Sequence, residues 1–125
     1  MIEIKLFPQK GRGVIATELI HKGTLIEQSP VVVFPTEQRK IIDKTEVFRY
    51  YFVIPAEYSE SKEVGGYLVF GLASFCNHSD TPNTRVDWVK NETGLWAHLL
   101  ALEDIQPGAE CLLFYTNVDE YPANW

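Results

Sequence analysis

The chain has 125 residues, 46% of them apolar and 22% charged, with a formal net charge of −6. That length fits one domain, 1–125, with a genuine core, and the apolar content excludes an intrinsically disordered chain. No apolar run approaches the roughly 18 residues of a membrane helix, and an acidic balance argues against direct nucleic-acid binding, which uses clustered Lys and Arg.

An acidic surface instead suits a basic partner such as a lysine-rich protein tail. Met1-Ile2-Glu3-Ile4-Lys5 alternates like a strand rather than following the layout of a secretory leader, so an intracellular location, cytoplasm or nucleus, is expected. Cys76 and Cys111 are too few for a four-ligand zinc site and have no CxxC spacing. They read as reduced, partly buried thiols, and no metal is expected.

In chain order, Ile2–Phe7 reads as a strand, and Val14–Thr17 as a second one after a glycine turn. Thr24–Glu27 and Val31–Phe34 are two short β-rich runs separated by Ser29-Pro30. Thr36 is placed to cap a short helix through Lys44, with Ile41 and Ile42 on its inner side. Val47–Ile54 is aromatic and β-branched, and Ala56–Gly66 is a polar surface loop. Tyr67–Phe70 is a strand and Gly71–Cys76 one helical turn. Thr84–Val89 and Leu95–Leu102 form a hairpin, and Glu110–Tyr115 follows the Pro107-Gly108 turn as the last strand. Many short strands with little helix predict a mainly β fold of several small sheets. The apolar run Val31–Phe34 and a shortage of cover for strand edges suggest a homodimer.

Three segments stand apart from this background. Gly11-Arg12-Gly13 permits positive φ and a close approach of ligand to backbone, or simply a tight hairpin turn. Phe75-Cys76-Asn77-His78-Ser79-Asp80-Thr81-Pro82-Asn83 concentrates side chains that bond nearby backbone and fix irregular loops. His78 has no second His or Cys nearby, so it reads as a hydrogen-bonded histidine rather than a zinc ligand. The third segment, Pro107 to Tyr115, is by itself ordinary β structure ending in a tyrosine.

Their order is more specific than any one of them. A glycine turn, then Asn-His-Ser-x-x-Pro-Asn (residues 77–83), then Gly-x-Glu-x-x-x-x-Tyr (residues 108–115) resembles the SET-domain family of protein-lysine methyltransferases. The spacing Ala101-x-x-x-Ile105-x-x-Gly108 fits as well, and the resemblance covers about residues 9–116, leaving 117–125 as a tail. It is similar to the small free-standing members from viruses and bacteria.

The resemblance implies a β-clip-like SET fold with a knot-like C-terminal crossing braced by Asn83 and Glu110. It implies transfer of methyl from S-adenosylmethionine to a lysine of a basic protein substrate, including histone tails. Lys10, Gly11, Arg12, Gly13, Asn77 and His78 would hold the cofactor. Tyr115 would touch both cofactor and substrate as the main catalytic tyrosine, with Tyr67 second. Tyr67, Phe70, Tyr121 and Trp125 would line the substrate channel. The chain departs from the family at Leu113, Phe114 and Ala109, and it lacks the cysteine-rich zinc segment many nuclear members carry after the tyrosine. The alternative these departures leave open is a SET-like interaction module without catalysis.

Overall fold

The computed structural model describes residues 1–60 and 64–121. Strands β1 (Ile2–Phe7) and β2 (Gly11–Ala16) form an antiparallel hairpin, with Phe7 opposite Gly11. Gly11 has φ of 78°, a left-handed conformation that a side-chain-bearing residue adopts only under strain. The main sheet has five strands in the order β4-β5-β3-β8-β7. Its members are β3 (Leu25–Phe34), β4 (Tyr51–Phe52), β5 (Gly66–Val69), β7 (Thr84–Asn91) and β8 (Gly94–Ala101). A third, two-stranded sheet pairs β6 (Asn77–His78) with β9 (Leu112–Leu113) in parallel.

β3 is one ten-residue strand rather than the two runs expected on either side of Ser29-Pro30. Pro30 does not break it because the pairing changes sides there. Residues up to Pro30 pair with β8, and Val31–Phe34 pair with β5. The carbonyl of Pro30 still accepts from Phe70 N–H at 3.0 Å, so the proline removes no needed donor.

Three further expectations are corrected. Helix α1 spans Thr36–Ile42 with Pro35, not Thr36, at the N-cap position, and its buried residue is Arg39, while Ile41 is 67% exposed. The segment Ala56–Gly66, read as loop, begins with helix α2 (Pro55–Glu60) and ends by entering β5 at Gly66. The last strand is two residues long, not six, because Leu112 and Leu113 alone face the short partner β6. The 3₁₀ turn Leu72–Phe75 and the hairpin β7–β8 lie where the sequence places them.

The main core gathers Val14, Ala16, Ile20, Val69, Ala97, Leu99, Ile105 and Leu113 with both cysteines. Phe34, Tyr51, Val53 and Tyr58 form a smaller cluster beneath the helical segment. The first cluster ties the N-terminal hairpin to β8 and to the C-terminal segment, which brings sequence-distant groups to one place. No helix of the described residues is long and apolar enough to cross a membrane.

Candidate active site

The parallel pair β6–β9 is held by side chains as much as by backbone. Asn83 donates from Nδ2 to the Glu110 carbonyl at 2.9 Å, and its Oδ1 accepts from Leu112 N–H at 2.8 Å. The buried Thr84 hydroxyl donates to the Leu112 carbonyl at 2.7 Å. An asparagine can satisfy one donor and one acceptor of the same passing strand at once, which accounts for its place at the end of the Asn-His-Ser-x-x-Pro-Asn string. His78 Nδ1 accepts from Tyr115 N–H at 2.9 Å, which leaves the ring proton on Nε2, 3.0 Å from the Asp80 carboxylate. His78 therefore orients the backbone of Tyr115.

Asn77 faces the other way. Its Nδ2 donates to the Glu110 carboxylate at 2.7 Å and, more weakly, to the Arg12 carbonyl at 3.4 Å. Lys10 pairs with the other Glu110 oxygen at 2.5 Å. This approach requires a glycine at position 13: a Cβ there would stand 2.7 Å from Glu110 Oε2 and 2.8 Å from Asn77 Nδ2. Around Gly11, by contrast, a Cβ would meet nothing within 4 Å, so the turn is open to the solvent side.

Lys10, Gly11, Arg12, Arg49, Tyr50, Ser74, Phe75, Asn77 and Tyr115 line a cleft of about 240 Å³. Its walls are mixed: the Arg12 guanidinium lies 4.8 Å over the Phe75 ring, and Phe75 packs on Tyr50 at 5.2 Å between centroids. A narrower cavity of about 40 Å³ adjoins it, walled by Tyr50, Tyr51, Phe52, Val53, Cys76, Phe114, Tyr115, Thr116, Asn117 and Tyr121. Arg49, Tyr50, Ser74 and Tyr115 line both. Tyr115 stacks at a tilt on Tyr121, 5.4 Å apart, and its hydroxyl donates to the Cys76 carbonyl at 2.7 Å. Burial, then the neighbouring Tyr121, pushes the Tyr115 phenol well above its usual range. Tyr115 is thus a neutral phenol whose proton is committed to a carbonyl, with its lone pairs available to a neighbouring group.

The structure brings Lys10, Gly11, Arg12, Asn77 and Tyr115 to the cleft, and Tyr121 to the narrow cavity. Gly13 backs the cleft and His78 stands behind Tyr115. Tyr67 and Phe70 are not brought to either cavity. The Tyr67 hydroxyl donates to the Glu57 carboxylate at 2.8 Å, and its ring packs on Trp88 at 5.4 Å. Phe70 is 62% exposed and borders an open apolar depression beyond Tyr50. Trp125 lies outside the described residues. Sequence reasoning missed Arg49 and Ser74, which line both cavities, and Phe75, and it offered Tyr50 only as one of several aromatics available for channel walls. The one signal for Ser74 and Phe75 was their position just before Cys76-Asn77. Tyr50 had none beyond being aromatic.

A SET domain family model matches residues 11–116, and the chain belongs to the SET-domain family. It is 33% identical over 114 residues to a Schizosaccharomyces pombe histone-lysine N-methyltransferase specific for H3 lysine-37, covering 91% of this chain and 72% of that protein. A Plasmodium falciparum chain described as a histone methyltransferase superposes with a TM-score of 0.70 at 26% identity, covering 92% of this chain and 96% of that one. The same fold occurs in Chaetomium thermophilum Polycomb Repressive Complex 2 solved bound to S-adenosylmethionine, with a TM-score of 0.71 at 16% identity over 98% of this chain and 16% of that one.

The cleft's donor set fits S-adenosylmethionine on its own chemistry. Arg12, Arg49 and Lys10 offer cations to a carboxylate. Asn77 keeps its Oδ1 for an amine, since its Nδ2 makes the bonds to Glu110 and Arg12. Among the described residues neither the cleft nor the narrow cavity is lined by a carboxylate that would trap a sulfonium as an ion pair, while Tyr115, whose hydroxyl bonds the Cys76 carbonyl, lines both.

Proposed function

We propose that this chain is a protein-lysine N-methyltransferase that takes S-adenosylmethionine in the 240 Å³ cleft and a substrate lysine in the aromatic cavity. The observation that carries the reading is that the two cavities share a wall that includes Tyr115, whose hydroxyl is bonded to the Cys76 carbonyl. When bound, the cofactor supplies a methyl group on a positively charged sulfur, so the protein's part is positioning more than bond chemistry.

The residues divide that work. Asn77 and the Lys10–Arg12 turn hold the cofactor's amino-acid end, and Glu110 fixes Asn77 and Lys10 in turn. Tyr50, Tyr121, Phe114 and Tyr115 strip water from an entering lysine, which lowers its pKa from about 10.4 and favours the neutral amine that can attack. The Tyr115 oxygen orients that amine, and together with the Cys76 carbonyl it offers weak CH···O contacts to a polarised methyl. Among the described residues no carboxylate or histidine lines either cavity, and the amine's proton leaves to water.

The substrate is a basic protein, read as intracellular, and a histone tail is the first class to examine because the matched fission-yeast relative carries that name. The decisive experiment is calorimetric titration with S-adenosylmethionine and with its demethylated product, beside an Asn77→Ala control, followed by labelled-methyl transfer to histones and other basic proteins. One-site binding that the control loses, followed by labelled lysine, supports the reading. No binding by the folded protein leaves the interaction module as the better account.

A further inference from the structure

A third cavity, of about 210 Å³, adjoins the aromatic one and is lined largely by apolar groups. Phe52, Val53, Phe114 and Thr116 line both cavities, so the third begins where the aromatic one ends. It lies on the side away from the cofactor cleft, with which it shares no lining residue. Its far wall is Val86 and Trp88 on the edge strand β7, with Leu102 beyond β8. Arg85 is its only charged lining residue among the described residues, and that guanidinium is engaged with Asp87 at 2.9 Å.

We infer that this cavity is a specificity subsite that takes a bulky apolar side chain two residues away from the target lysine. The inference rests on the methyltransferase reading and adds which substrates that site accepts. A peptide crossing the mouth of the aromatic cavity in extended form points alternate side chains the same way. If the lysine enters the cavity, the residues next to it point away from the protein and those two removed point back toward it. Two residues of extended chain span about 7 Å, the scale of the single layer of side chains, Phe52 and Phe114, dividing the two spaces. The lining rewards an aliphatic or aromatic group by burial and offers no acid to a second cation. A lysine or arginine there would lose hydration with no carboxylate among the described lining residues to replace it. The substrate is thus basic as a whole but carries a local apolar residue, which distinguishes it from an unbroken run of lysines.

The test uses the full chain, labelled S-adenosylmethionine, and short serine/glycine peptides with one central lysine. The position two residues before or after the lysine carries Leu, Phe, Gly, Asp or Arg. Incorporation into the Leu or Phe peptides, on one side of the lysine, at least about tenfold above the Gly peptide and with Arg lowest, is the expected result. In Val86→Trp, which fills the cavity, and in Leu102→Lys, which charges it, the ratio of Leu to Gly peptide falls toward one. Either variant alone suffices if the other fails to fold. Equal labelling whatever the residue overturns the subsite and leaves the methyltransferase standing. No labelled peptide at all, with histones or other basic proteins labelled under the same conditions, also overturns it. No labelling of any peptide or protein removes the methyltransferase reading as well.

Discussion

The side-chain amide of Asn77 occupies the space that a Cβ on Gly13 would need, 2.8 Å from that point. Gly13 is therefore fixed by the asparagine and by Glu110, which would stand 2.7 Å from the same Cβ. Gly13→Ala should displace both groups, and with them the position of Asn77 in the cleft, at a packing cost of about 1–3 kcal/mol. Calorimetry should show weakened binding of S-adenosylmethionine, while Gly11→Ala, a position with open space but φ of 78°, should destabilise the turn and leave Asn77 in place.

Tyr115→Phe removes one hydroxyl and leaves the Cys76 carbonyl without its donor. Stability should fall by only about 1 kcal/mol, the ordinary worth of a hydrogen bond. Methyl transfer should fall by roughly 10²–10³, as when an oriented polar group is lost from a reacting centre. Single-turnover kinetics beside a thermal melt separates the two effects, and a variant as fast as the parent would remove Tyr115 from the mechanism.

Arg39 is buried and holds together segments that enclose the aromatic cavity. It donates to the Tyr51 hydroxyl at 2.8 Å and to the Val64 carbonyl at 3.2 Å, and it pairs with Glu120, which also accepts from Asn117 at 3.0 Å. Arg39→Met should cost about 3 kcal/mol, because it strands a partly buried carboxylate. In whatever remains folded, KM for the protein substrate should rise more than the affinity for cofactor falls, since Tyr51 and Asn117 of this network line the aromatic cavity and none of its residues lines the cofactor cleft.

The pH response has a definite sign. Burial, then the hydrogen bond to Glu57, pushes the Tyr67 phenol up to about 12, against about 10 in the unfolded chain. The unfolded state then loses its proton first. The stabilisation is complete below about pH 10 and declines as pH rises toward 12. Denaturant midpoints should show this fall, and Tyr67→Phe should flatten part of it. Methylation rate should climb through about pH 7–9 with the substrate lysine, without a descending limb from Tyr115, whose phenol keeps its proton in that range.

A homodimer would use β3. Its residues Val31–Phe34 pair with β5 on one side, while the register with β8 stops at Pro30. Val32 and Val33 are both 53% exposed along this stretch. Light scattering at micromolar concentration should return a dimer mass that Val33→Lys halves; a monomer mass for the parent removes the idea.

The parts of this molecule legible in the sequence are those where chemistry and local order coincide. The Asn77–Asn83 string is such a part, since His78 and Asn83 bond backbone of the C-terminal segment that passes close by, and the β7–β8 hairpin is another, since two residues turn it. Tyr50 and Tyr67 show the opposite case. Both are aromatic and both precede apolar residues, yet only tertiary packing decides that Tyr50 faces the cofactor cleft while Tyr67 turns to Glu57 and Trp88. The α1 helix misled for a related reason: its buried face is set by Arg39 finding Tyr51 and Glu120, partners 12 and 81 residues away, so Ile41 is left in water.

The parallel pairing of Asn77–His78 with Leu112–Leu113 has a consequence for synthesis. During translation the Asn77–His78 segment leaves the ribosome well before Leu112–Leu113 exists, so its backbone waits unpaired and the cleft has no floor. Tyr115 follows Leu112–Leu113 closely, and Thr116, Asn117 and Tyr121, which also wall the aromatic cavity, come after it. A nascent chain has no complete site until the segment through Tyr121 has emerged. Its final closure, dominated by contacts between distant segments, should be the slow step of its folding.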